Sequence, residues 1–211
     1  MDTTDASDLI RDIKEDRAEQ ESSDRFRDRA ALLIALLAAI LAIGGLGGGN
    51  ATDDLIGYNI RAADTWSFFQ AKNARQTIYE VAADEIEATL ADPALPAARR
   101  VALTERLADY RRTIARYESE PDPDAPNDPL AGEGKRQLRA QAGAFEAERD
   151  RASEQDSNFD LAEVALQLAL VLGSVAILAL NRPVLMLSAA LGAAGTLLTL
   201  NGFLLIVPLG I

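Results

Sequence analysis

"AALLIALLAAILAIGGL", residues 30–46, is built from Ala, Leu, Ile and Gly alone. Seventeen uncharged residues is the short end of a membrane-spanning helix. Arg25, Arg27 and Arg29 stand just before it, where guanidinium groups can reach a headgroup layer. A buried core helix has no use for that bracket. The stretch therefore reads as a first transmembrane helix, and it sets the fold class of everything around it.

The end of the chain repeats the pattern. "FDLAEVALQLALVLGSVAILAL", residues 159–180, is a second span, with Asp160 and Glu163 at its entrance and Gln167 a turn deeper. Asn181, Arg182 and Pro183 form a turn whose Pro opens the next helix, and residues 184–207 make a third span. So short a turn makes the last two spans an antiparallel hairpin. "GGLGGGN" at Gly44–Asn50 is expected to loosen or end the first helix, because Gly is a poor helix former and a common C-terminal cap.

Each span carries a stripe of small residues at alternating steps of three and four. The first has Ala31, Ala35, Ala38, Ala42, Gly45 and Gly49; the second has Ala169, Gly173 and Ala176; the third has Ser188, Gly192, Gly195, Thr199 and Gly202. Small residues let helix backbones approach closely, which is how helices associate in lipid without a hydrophobic drive. These stripes are the expected packing faces. Glu163, Gln167 and Asn201 are the alternative feature, side chains that would line a polar path.

The net charge of −12 is spread over every part of the chain: −4 in residues 1–29, −7 in residues 50–158 and −1 in the remainder. No segment is net basic, so duplex nucleic acid is not an expected partner. There is no Cys and no His, which excludes thiolate nucleophiles, thiolate and imidazole metal sites, disulfides and His-based triads. The charged first 29 residues do not look like a cleaved leader. They read as an acidic tail.

Residues 50–158 read as a helical insert, with few β-branched residues and no period-two alternation. Helices are expected at about 52–91, 97–119 and 133–158, with a Pro- and acid-rich loop, 121–134, expected to be mobile. Leu103, Leu107, Tyr110, Ile114 and Tyr117 form a coiled-coil seam, and Leu138, Phe145, Ala152 and Phe159 recur every seven residues. These two helices are expected to form an antiparallel hairpin or small bundle. In "DTWSFFQAKNARQTIYE", residues 64–80, one face carries Leu55, Tyr58, Ala62, Trp66 and Phe69 and turns polar past Gln70. A second face, with Phe68, Ala71, Ala74, Ile78 and Val81, is expected to take over. Phe68 and Ile78 would then pack inside the subunit, while Trp66 and Phe69 meet another surface, the third helix of the insert or a neighbouring subunit.

No catalytic, cofactor-binding or metal-ligating residue is expected. Asp84, Glu85 and Glu87 scatter around a helix, and the acidic run Asp122–Asp128 lacks the central Gly and closing Glu of a calcium loop. The predicted fold class is thus all-α: an integral membrane protein with three transmembrane helices and a helical, coiled-coil extramembrane insert.

The order of features resembles a family of bacterial membrane proteins known as domain of unknown function 4337. The likeness lies in the first span ending in "GGGNATDDL", in "WSFFQAKNARQTIYE", and in a terminal hairpin entered through "NFDLAEVALQLALVLGSVAIL". It runs from about Arg25 onward and implies topology, with no activity attached. Arg17, Arg25, Arg27, Arg29 and Arg182 share one side of the spans, which places the N-terminus in the cytoplasm and the insert in the periplasm or outside. The expected setting is the bacterial inner membrane. The expected function is a non-enzymatic scaffold or accessory subunit that binds the lipid bilayer and a second copy or another membrane protein. The alternative is a subunit of an oligomeric channel or transporter.

Overall fold

The computed structural model describes residues 3–208. Four helices follow in order: α1 (Thr3–Leu90), α2 (Ala97–Glu118), α3 (Lys135–Ala179) and α4 (Arg182–Leu204). Abundant Ala, Leu, Glu, Gln and Arg favour helix throughout. Among the described residues the nearest thing to a sheet is an isolated bridge between Pro121 and Gly132. The chain divides into two compact units, Met1–Asp53 with Ala152–Ile211, and Asp54–Arg151. The acidic tail falls in α1 from Thr3 on, and Met1 and Asp2 lie outside the described residues.

In the first unit, α1, α3 and α4 pack around Leu37, Leu166 and Ala169, with Leu33, Ile40, Leu41, Leu170 and Leu191 against them. Large side chains of one helix sit over glycines of another. A Cβ at Gly192 would come 2.6 Å from Leu37, one at Gly195 2.7 Å from Leu166, and one at Gly173 2.9 Å from Ile34. Ser188 Oγ donates to the Ala169 carbonyl at 2.6 Å, satisfying its hydroxyl across the α3–α4 contact. The α3–α4 turn places Leu180 at φ 47°, and Asn181 N–H returns to the Ala176 carbonyl, closing the helix end.

The glycine run does not end the first helix. α1 continues through Gly44–Asn50 because Gly47 and Gly48 serve as a landing for Phe159. A Cβ at Gly47 would stand 2.6 Å from the Phe159 ring and 2.8 Å from Phe203; one at Gly202 would stand 2.8 Å from Phe159. The cost of Gly in a helix, about 1 kcal/mol each relative to Ala, is offset by burying a whole aromatic ring. Phe159 and Phe203 meet edge to face, centroids 4.9 Å apart.

In the second unit, α2 and α3 lie in tandem along one face of α1, and they do not form the expected hairpin with each other. Following α1 backward, Ala83, Ile86 and Leu90 pack with Leu103, Leu107, Tyr110 and Ile114 of α2. Tyr79 meets the rings of Tyr110 and Tyr117. Phe69 lies near Lys135 and Arg139 of α3, and Trp66 Nε1 donates to Glu146 at 2.9 Å. The tandem arises because the loop between the two helices closes on itself. Glu133 N–H donates to the Glu120 carbonyl at 2.9 Å, so the chain leaves α2 and re-enters at α3 almost where it left. The loop expected to be mobile carries four further backbone hydrogen bonds among residues 122–131, and Gln141 donates to the Leu130 and Gly132 carbonyls. Arg100 finishes α1, donating to the carbonyls of Leu90 and Asp92 at 2.7 and 2.8 Å.

Candidate functional site

The buried line of α1 in the second unit is continuous, and the expected change of face does not occur. Leu55, Tyr58, Ala62, Trp66 and Phe69 lead on through Lys72, Gln76, Tyr79, Ala83 and Ile86, all buried or half-buried at steps of three and four. Phe68 and Ile78 are 39% and 68% exposed, so neither packs inside the subunit as expected. The reason is Lys72. It is only 5% exposed, and its ammonium bonds Glu120 at 3.0 Å, donates to the Glu133 carbonyl and lies 3.7 Å from the Glu133 carboxylate. The rings of Phe68 and Tyr117 flank it at 5.3 and 5.8 Å. A paired, ring-flanked ammonium can occupy a core position that an unpaired one cannot.

This node extends along the loop. Lys135 donates to Asn73 at 2.9 Å and pairs with Glu118 at 3.3 Å, with Arg136 3.7 Å from the same carboxylate. Burial pushes the Glu118 carboxyl up, but the hydrogen bond and charge of Lys135, helped by Gln76 and Arg136, outweigh burial and leave it below its ordinary value. Sequence reasoning missed Lys72. The available signal was an ammonium three and four residues past two Phe rings, in "FFQAK".

The other residues of the insert seam lie where α2 and α3 meet α1: Leu107 and Leu138 are buried, and Leu103, Tyr110, Ile114, Tyr117 and Phe145 are half-buried.

In the first unit, Gly173, Ser188, Gly192, Gly195, Thr199 and Gly202 are buried in the helix contacts. Ala35, Ala38 and Ala42 are not; they are exposed, as are Ala31, Gly45 and Gly49. Among the described residues, no other side chain comes within 4 Å of a Cβ placed at Gly45 or Gly49. The correction has a packing reason. Up to Leu37 the hollows are Gly173 of α3 and Gly192 of α4, so α1 supplies the large side chains, Ile34 and Leu37. Its own inward hollow comes later, at Gly47 and Gly48, and its Ala31–Gly49 stripe turns the opposite way.

The three polar residues considered as a path do not meet. Gln167 donates to Glu163 at 2.7 Å, both on the exposed side of α3. Asn201 turns elsewhere: its Nδ2 donates to Asn158 Oδ1 and to the Val207 carbonyl, both at 2.8 Å, and its Oδ1 accepts from Val207 N–H at 2.9 Å. It ties α3, α4 and the turn after α4 together. Asn158 is 1% exposed, so its oxygen has no solvent alternative. Asn201→Leu is expected to cost about 1–2 kcal/mol. Thermal unfolding in mild detergent measures it; an unchanged midpoint would mean that this tie carries no stability.

Among the described residues, fold and faces together define an all-α chain, three of whose helices, α1, α3 and α4, are long and apolar enough to cross a membrane. Residues 26–205 match the family described as Domain of unknown function (DUF4337), and the chain belongs to that family. Comparison with curated proteins and with solved structures gives no significant match.

Proposed function

We propose that the chain is a three-span integral membrane protein acting as a non-enzymatic scaffold or accessory subunit, through self-association in the bilayer. The expected setting is a bacterial inner membrane with the N-terminus cytoplasmic and the second unit on the far side. The observation that carries this reading is the outward stripe on α1. Ala31, Ala35, Ala38, Ala42, Gly45 and Gly49 have the size and spacing of the stripes that pack α3 and α4, yet they are exposed among the described residues. A second copy is the natural occupant. A small-residue stripe is self-complementary about a two-fold axis, and each copy brings its own.

The test uses the lack of native Cys. Ala38→Cys in otherwise unchanged protein is expected to form a disulfide-linked dimer under mild oxidation in native membranes. Leu37→Cys, on the buried side of the same helix, is the matched control. Equal cross-linking at both positions, or none at Ala38, would sink self-association through this face.

A second reading, a channel or transport subunit, has one supporting observation: the Glu163–Gln167 pair on the exposed side of α3. In an oligomer such a pair can face a shared axis. Ion flux into liposomes that falls in Gln167→Leu would favour it; protein that leaves the liposomes impermeable would count against it.

A further inference from the structure

Where the N-terminal part of α1 meets the start of α4, Arg25, Arg29 and Arg182 line one cleft of about 450 Å³ floored by Phe26, Leu185 and Met186. We propose that this cleft binds the phosphate headgroup of an anionic phospholipid. The inference rests on the membrane-spanning reading above.

Among the described residues, Arg29 and Arg182 make no ion pair, while Arg27 pairs with Asp24 at 3.8 Å outside the cleft. Arg25 is held by its own helix, its Nε donating to the Glu21 carbonyl at 3.1 Å and its Nη2 4.0 Å from the Glu21 carboxylate. Helix geometry turns the three nearest acids to one side. Taking Arg25 as origin, Arg29 and Phe26 project at roughly +40° and +100°, and Glu21, Asp28 and Asp24 at roughly −40°, −60° and −100°. Asp24 and Asp28 thus lie away from the cleft, and Glu21 sits beside Arg25. Glu19, six residues before Arg25 at roughly +120°, is the nearest acid on the cleft's own side, and the guanidiniums of Arg25, Arg29 and Arg182 line it. Arg182 is also the first residue of α4, so the positive end of that helix adds to the field.

All three cations are Arg, whose planar fork matches the oxygens of a phosphate better than Lys does. A free phosphate offers the same oxygens, but it has no use for the floor. Phe26, Leu185 and Met186 are apolar, and the exposed Leu32, Leu36 and Leu187 continue the apolar surface toward the spans. That surface suits acyl chains attached to the headgroup. Basic clefts between membrane helices at an interface are the usual form of such sites.

The experiment is native mass spectrometry of the full chain released from nanodiscs of mixed phosphatidylcholine and phosphatidylglycerol. Wild type is expected to retain phosphatidylglycerol preferentially. Arg29→Gln with Arg182→Gln should lower that preference by about 30-fold, the share two interfacial arginines carry between them. The matching pair of Lys substitutions should keep part of it. Arg27→Gln, outside the cleft, should leave it intact. Circular dichroism in pure phosphatidylcholine checks that each variant is folded. Equal retention by the double Gln variant, loss in Arg27→Gln, or no preference in wild type would overturn the site. Displacement of the lipid by millimolar inorganic phosphate would overturn its assignment to a lipid. Extraction of the chain from membranes by alkaline carbonate is a separate outcome, and it would count against the spanning reading itself.

Discussion

Phe159→Ala is expected to destabilise the bundle by about 3–5 kcal/mol, the range for emptying a buried aromatic site. Phe159 is buried, and it touches all the elements that must stay together: Gly47 and Gly48 of α1 and Gly202 and Phe203 of α4. Glycine hollows cannot collapse onto a vanished ring, because they have no side chains to move in. The hole should therefore persist, and the cost should fall at the high end. Reversible unfolding of the full chain in mixed micelles gives the number. A double-mutant cycle gives the mechanism. Gly47→Ala alone forces a methyl to within 2.6 Å of the ring and should cost about 1–3 kcal/mol. Combined with Phe159→Ala, the methyl falls into the space left behind. The double variant should then cost at least ~1 kcal/mol less than the sum of the two single variants. Strict additivity would mean that ring and glycine do not meet.

Lys72→Met should destabilise the second unit by about 2–3 kcal/mol, less than the 3–5 typical of a fully buried pair because Glu120 and Glu133 both reach solvent. Met keeps the shape and removes the charge. The Glu133 carbonyl then loses its donor, and the closure at the foot of the loop loosens. Hydrogen exchange should speed up over residues 119–137 well before it does in α2. Uniform acceleration across the unit would argue against a local clamp. The same experiment run against pH reads Glu118. Its carboxyl is lowered in the folded chain, so its stabilisation is present above the ordinary carboxylate pKa. It is lost as pH falls from there through the lowered value.

The apolar runs and the α2 seam were legible because both are dense, single-character signals. Leu103, Leu107, Tyr110, Ile114 and Tyr117 have no charged member, and α2 turns that side to α1. The α1 line was read correctly to Phe69 and lost at Lys72 and Gln76, since periodicity assigns a polar residue to solvent. Only the positions of Glu120 and Glu133, 48 and 61 residues away at the two ends of a loop, make Lys72 a core residue. The first small-residue stripe was legible as a stripe and illegible as to direction. Ala38 and Leu37 are neighbours on one helix, and which side faces inward depends on whether α3 and α4 offer hollows or large side chains. The glycine run was misjudged for a similar reason. Helix propensity counts what Gly loses, and nothing local records what Phe159 gains.

The closed loop between α2 and α3 has a consequence for how this chain can change. Residues 121–132 add contour length without adding distance, because the chain that leaves at Glu120 returns at Glu133. As far as α1 is concerned, α2 and α3 act as one rod, and the excursion is a side branch on it. Insertions or trims there alter the size of the branch and leave the register of the rod untouched. It is the natural port for a graft, and a place where length can drift freely while everything beside it is held in step.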